Sequence, residues 1–296
     1  MNCQRKVWDD KLASLYNWRG VSGLAAACLS LSITGCRMSA AATSQALLTS
    51  NSPAATTTVH LWVAAYYYPN GPGLDEWNRL IEAAKHVPIV AIVNPASGPG
   101  DHQDLYFAAL LPRARKSGLT LVGYIGTEYA RKSIAQAEQE VDTYLKFYPD
   151  LQGFHFDEQS SDAANVDYYQ TLYKYVRSKN ANAVVINNPG TMCSSEYISR
   201  PAADVVCLFE GNRGFEAFQP PSWTSQWPSS RFCIVAYQVP DESHMLKYLK
   251  EAVQKRIGYI YITDAGGSNP YRRLPSYWGE EVNAIEQLNK AASSDK

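Results

Sequence analysis

Leu151-Gln152-Gly153-Phe154-His155-Phe156-Asp157-Glu158 is an apolar, aromatic-rich run that ends abruptly on two acids. Such a run fits a strand buried on both faces, with the acids at its open end. Seven more runs share this build: Leu61 to Pro69, Val87 to Pro95, Leu119 to Thr127, Ala183 to Gly190, Asp204 to Glu210, Arg231 to Gln238 and Arg256 to Asp264. Between them lie stretches with apolar residues at three- and four-residue spacing, among them Leu74 to His86, Ser133 to Phe147, Asn165 to Lys179 and Ser243 to Lys255. That spacing predicts helices. Near-continuous apolar strands alternating with helices imply a parallel sheet covered on both faces. Eight such units over roughly 240 residues predict an α/β fold, a single closed (β/α)₈ barrel of the TIM type, with a doubly wound open sheet as the alternative. Only Ser194 to Arg200 is left for a helix after the fifth run, so irregularity is expected around strands 5 and 6.

Outside this pattern the N-terminal region reads differently. Arg5, Lys6, Lys11 and Arg19 precede a short apolar run from Val21 to Ile33, the build of a signal peptide over residues 1–35. The run closes on Leu31-Ser32-Ile33-Thr34-Gly35-Cys36, which resembles a bacterial lipobox. The resemblance implies that Cys36 is lipidated and holds a secreted protein on the bacterial cell envelope, at the outer membrane if there is one, with the lipid as its only membrane contact. Residues 36–58, rich in Ala, Ser and Thr, suit a flexible tether, and the folded domain is expected over 59–296. Three cysteines remain in that domain. Cys207 and Cys233 fall in neighbouring predicted strands and could form one disulfide, or both could stay buried thiols.

Formal charge is −1 with both signs interspersed, which argues against a nucleic-acid partner. His60, His86, His102, His155 and His244 never stand at ligand spacing, so neither a metal nor another cofactor is expected. The chain is read as a monomer.

Active sites of such barrels sit at the C-terminal ends of the strands. Here the ends include Asp157-Glu158, Asn187-Asn188, Phe209-Glu210 and Thr263-Asp264. Alternation along a strand points Asp157 and His155 to the same side, and Glu158 enters the mouth only if the loop turns over it. Glu210 closes strand 6, two strands away, at a separation that suits paired carboxylates in glycosidic cleavage. Tyr66, Tyr68, Tyr124 and Tyr237 are candidate stacking faces for sugar rings. Asn94, His155, Asn187 and Asp264 are candidate hydrogen-bonding groups. The loop Asn94 to Gly100 lacks the Lys and hydroxyl of a phosphate loop and is read as a rigid turn beside the groove.

Five strings, Ala91-Ile92-Val93-Asn94-Pro95-Ala96-Ser97-Gly98-Pro99-Gly100, Gly123-Tyr124-Ile125-Gly126-Thr127 with Tyr129, Gly153 to Glu158, Asn188-Pro189-Gly190-Thr191 and Phe209-Glu210, resemble the spherulin 4 family in order. The resemblance implies a (β/α)₈ glycoside hydrolase that cleaves within α-1,4-linked N-acetylgalactosamine polymers such as galactosaminogalactan. It carries the acidic catalytic positions onto Asp157, Glu158 and Glu210. His155 departs from the aliphatic residue or Phe common there. Two mechanisms stay open: Glu210 as acid/base with Asp157 attacking or stabilising the anomeric carbon and Glu158 tuning or positioning, or attack by the substrate's own acetamide with Asp157 orienting it and Glu158 as acid. A non-catalytic surface protein that binds carbohydrate or responds to stress on the same barrel is the competing function. The lipobox reading carries its own test: radiolabelled palmitate should label the protein expressed in a bacterial host and fail to label Cys36→Ala, and equal labelling of the two would refute it.

Overall fold

The computed structural model describes residues 58–294, so the expected signal peptide, Cys36 and most of the tether lie outside the described residues. Among the described residues, eight strands form a closed barrel in chain order: β1 (His60–Ala64), β2 (Ile89–Val93), β3 (Thr120–Gly126), β4 (Gly153–Asp157), β5 (Val184–Asn188), β6 (Val205–Gly211), β7 (Phe232–Tyr237) and β8 (Tyr259–Thr263). Every pairing is parallel. Around them run α1 (Pro72–Ala83), α2 (Leu105–Lys116), α3 (Ile134–Phe147), α4 (Val166–Lys179), α5 (Glu196–Ser199), α6 (Glu242–Gln254) and α7 (Trp278–Ser294). The fold is a (β/α)₈ barrel, as the strand and helix periods predict.

Local chemistry explains the boundaries. Ser133 and Gln136 cap α3 reciprocally, each side chain accepting the other's backbone N–H. Asp104 accepts the N–H groups of Tyr106 and Phe107 at the start of α2, and Asp241 accepts that of His244 at the start of α6. Ile89 to Val93 is buried at every position, as a strand covered on both faces requires. Gly153 opens β4 where a Cβ would lie 2.0 Å from the Val184 carbonyl oxygen. Only glycine lets β4 and β5 approach this closely, and the approach brings their polar ends together.

The irregular sector is where the short linker placed it. β5 and β6 are in register only at Ile186 with Val205 and Asn187 with Val206. α5 is a single turn, and the β6 to β7 register shifts between Cys207 and Phe209. Two 3₁₀ turns, Ser222–Gln226 and Ser229–Arg231, stand where a helix would join β6 to β7. Cys207 faces Cys233 across β6 and β7, but all three described cysteines are buried free thiols, so the possible disulfide is not formed.

A second irregularity lies at the seam. β8 pairs with β1 only through His60 with Tyr259 and Leu61 with Ile260. Beyond this point the Ile262 N–H has lost its strand partner, and it donates instead to Glu281 Oε1 of α7 at 3.1 Å. Glu281 is fully buried, and burial holds its carboxyl well above the usual carboxylate range, so it stays protonated in the fold. The unfolded chain would ionise it, so this group makes stability fall as pH rises from the ordinary carboxylate value toward the raised one. Glu281→Gln keeps an acceptor and removes that dependence. In urea titrations it should equal the parent at low pH and exceed it at neutral pH, while Glu281→Ala, which strands the Ile262 N–H, should lose about 1–3 kcal/mol at low pH, a deficit that shrinks as pH rises.

Candidate active site

Alternation along the strands decides which side chains see the barrel axis. Register partners share a face, so Trp62 goes with Val90, Ala64 with Ile92, Tyr124 with His155, and Asp157 with Asn188. At the C-terminal mouth side chains from this face line a narrow, solvent-open cleft. Trp62, Ala64, Ile92, His155 and Val235 form its floor, and Asp157, Asn188, Glu210, Tyr66 and Tyr271 its walls.

One amide organises the acids. Asn188 Nδ2 donates to Asp157 Oδ1 at 2.9 Å and to Glu210 Oε2 at 2.6 Å. The two carboxylate oxygens therefore lie no farther apart than the sum of those distances. Asn188 Oδ1 in turn accepts the Gly190 N–H at 2.8 Å, which fixes the amide's orientation. Gly190 has φ 65°, and its carbonyl accepts the Glu210 N–H. The left-handed turn after β5 thus anchors both the bridging amide and the acid on β6. The Tyr271 hydroxyl donates to Glu210 Oε1, and the Tyr124 hydroxyl donates to Asp157.

Burial shifts both acids in the same direction. Burial raises the Asp157 carboxyl, offset by hydrogen bonds from the Glu158 backbone, Tyr124 and Asn188. Glu210 is raised by burial and then by the negative charge of Asp157, offset by Tyr271 and Asn188. The pair cannot both ionise freely, and the proton they resist losing is available to a substrate. Burial pushes the His155 ring down to about 3, so it is neutral under the acids. Its Nε2 stands 3.8 Å from Asp157 Oδ1, and its ring meets Trp62 edge-on at 5.2 Å.

Glu158 follows β4 in a left-handed conformation, φ 51°, which turns its side chain toward the loop after β3. Its Oε2 accepts the Glu128 N–H at 3.2 Å, and its carbonyl accepts the Tyr129 N–H at 2.8 Å. Burial and the Asp157 charge raise its carboxyl.

The other expected site residues divide. Tyr66 and Tyr124 stand edge-on at 5.8 Å beside the acids. Tyr237 lies within reach of the Glu210 charge, which adds to burial in raising its hydroxyl. Asn187 is not in the cleft: it has the opposite parity to Asn188, is fully buried, and donates to the Ala202 carbonyl at 3.1 Å. Strict alternation, applied to β5 as it was to β4, would have selected Asn188. Asp264 is held by Arg273 at 2.8 and 3.0 Å and by the Ser276 N–H, so it clamps the loop after β8. Tyr68 donates to Asp104 at 2.7 Å and packs on Tyr106 and Phe107. Asn94 accepts the Gly98 N–H at 3.0 Å and shapes its own loop. Tyr271 was missed because it lies in a loop well past the last strand, where neither period nor strand-end position marks it. Among the described residues no three His, Cys, Asp or Glu side chains converge as a metal site.

Comparison with known proteins matches this architecture. Spherulin-4 of Physarum polycephalum is 30% identical over 243 residues, 78% of this chain and 71% of the relative. The crystal structure of Aspergillus clavatus Sph3 in complex with GalNAc superposes with a TM-score of 0.68 at 23% identity, covering 78% of this chain and 98% of that one. An α-L-fucosidase isoenzyme 2 from Paenibacillus thiaminolyticus shares the barrel at a TM-score of 0.52 and 9% identity, over 80% of this chain and 49% of its own. The profile of spherulation-specific family 4 matches residues 60–285, from the first strand to the last helix, and the chain belongs to that family.

Proposed function

We propose that the protein is a glycoside hydrolase that cuts within an N-acetylgalactosamine-containing exopolysaccharide of the galactosaminogalactan type, at α-1,4 linkages. The observation that carries this reading is the single amide nitrogen shared by Asp157 and Glu210. Its two short bonds cap the separation of those oxygens below the roughly 6.5–9.5 Å of inverting glycosidases, which favours the shorter spacing, about 5–5.5 Å, of retaining ones. The GalNAc bound to Aspergillus clavatus Sph3 supports the choice of sugar.

The chemistry follows from the unlike environments. Asp157, on the amide and the Tyr124 hydroxyl, attacks the anomeric carbon as a carboxylate while Glu210 gives its proton to the glycosidic oxygen. The leaving chain departs, and a covalent glycosyl ester remains on Asp157. Glu210, now ionised, takes a proton from water, and that water's oxygen displaces Asp157 at the same carbon. The configuration is retained after two inversions. Tyr66 and Tyr237 supply faces and hydroxyls for the ring, and His155 keeps the floor uncharged. The lipid anchor proposed at Cys36 would hold this activity at the cell envelope, next to the matrix it degrades.

Reducing-sugar release from galactosaminogalactan tests the reading. Asp157→Asn and Glu210→Gln should each lower turnover at least about 100-fold. NMR of the first product formed should show the α-anomer, and wild-type turnover in either variant, or an inverted product, would refute the assignment. Polymer binding with no reducing ends from the wild-type protein would instead favour the non-catalytic alternative. A second prediction concerns pH. The Tyr271 hydroxyl favours ionised Glu210, so Tyr271→Phe raises the Glu210 pKa further. The alkaline limb of kcat/KM, where Glu210 loses its proton, should move to higher pH while the acid limb set by Asp157 stays in place.

A further inference from the structure

Glu128, Tyr129 and Ala130 have φ of 52°, 58° and 69°, three consecutive left-handed residues with no glycine among them. L-residues resist this conformation at each step, so such a run persists only where its surroundings hold it, and it concentrates at functional sites. Here the surroundings are specific. The Glu158 carbonyl accepts the Tyr129 N–H at 2.8 Å, and the Glu158 carboxylate accepts the Glu128 N–H at 3.2 Å. The Thr127 hydroxyl reaches the carbonyls of Asp157 and Glu158 at 2.8 and 2.9 Å. The Lys132 N–H closes the loop on the Thr127 carbonyl. Glu158 is itself left-handed, so two strained segments lock each other at the lip of the cleft.

What this clip presents is a ring. Tyr129 is 45% exposed, whereas most large aromatic side chains of the barrel are buried. The Arg131 guanidinium lies 5.8 Å over one face of the ring. The Tyr129 N–H on the Glu158 carbonyl places the residue at the lip of the cleft, and burial followed by the charges of Glu158 and Asp157 raises its phenol pKa. An exposed aromatic face next to a carboxylate cleft matches the apolar C–H face of a pyranose, with its hydroxyls directed to water.

We infer that Tyr129 is the stacking platform of an accessory sugar subsite flanking the cleft, and that Glu158 is a positioning residue that holds the platform in place. The inference rests on the proposed carbohydrate substrate and deepens it. It assigns Glu158 to substrate grip, acting through the backbone of the Glu128 to Ala130 loop, and leaves proton transfer to Glu210. The subsite takes the ring next to the one being cleaved, so its contribution appears only with substrates longer than one sugar.

Calorimetric binding of α-1,4-linked N-acetylgalactosamine, as monosaccharide and as pentasaccharide, to variants built on Asp157→Asn separates the possibilities. Tyr129→Ala should weaken the pentasaccharide about tenfold and the monosaccharide less than twofold, and Tyr129→Phe should stay within twofold for both. Glu158→Gln retains an oxygen acceptor for the Glu128 N–H and should bind as the parent does. Glu158→Ala should lose what Tyr129→Ala loses, and the double variant should lose no more. Pentasaccharide affinity unchanged in Tyr129→Ala, an equal loss in Tyr129→Phe, or additive losses at Glu158 and Tyr129 would each overturn the inference. Turnover surviving in Asp157→Asn would refute Asp157 as the nucleophile while the binding series still decides the platform. Failure of the parent to bind either sugar would end both.

Discussion

Two carboxyl groups within one cleft of a closed barrel repel each other and resist leaving water, and everything at the mouth is arranged around that conflict. The Asn188 amide answers it by donating to both. A cation in the same place would pin both acids as carboxylates. A neutral amide lets one keep its proton, which is what acid catalysis needs. The amide is in turn oriented by the Gly190 N–H, so a bend in the main chain after β5 governs how the acids share charge. Neutral His155 below adds no further charge to the balance.

The scaffold serves this arrangement by bringing strand ends close. Gly153 allows β4 and β5 to approach, Asp157 and Asn188 become register partners, and the bulge in β6 follows Cys207 just before Glu210. The irregular sector of the barrel is therefore the sector that carries the paired acids. Strain has collected there too: Glu128, Tyr129, Ala130, Glu158 and Gln238 all sit in left-handed backbone, each at the mouth. Such conformations survive because the barrel beneath over-determines them.

Much of this was legible in the amino-acid order. The alternation of buried strands with amphipathic helices called for a parallel sheet, eight units favoured its closure over an open doubly wound one, and the shortage of residues after strand 5 announced the one-turn α5. Asp157 and Glu210 were visible because acids rarely end apolar runs without cause. Asn187 misled because strand-end position was weighed without parity, whereas parity points Asn188 inward. Asp264 looked like a site residue until its partner Arg273 folded back from a loop nine residues on, a contact that no period encodes. Tyr271 and Glu281 were invisible for the same reason, since each acts on an element remote from its own position in the chain.

The early parting of β1 and β8 has a consequence for how the site can be retuned. Where the two strands cease to pair, the loop after β8 carries Tyr271 in among the rings of Tyr66, Tyr237 and Tyr261, and from there to Glu210. The group that adjusts the acid's proton affinity therefore belongs to a segment outside the β-ladder. Substitutions in that segment can shift the proton affinity of Glu210 while the eight staves remain untouched, so acidity and foldability are free to drift independently.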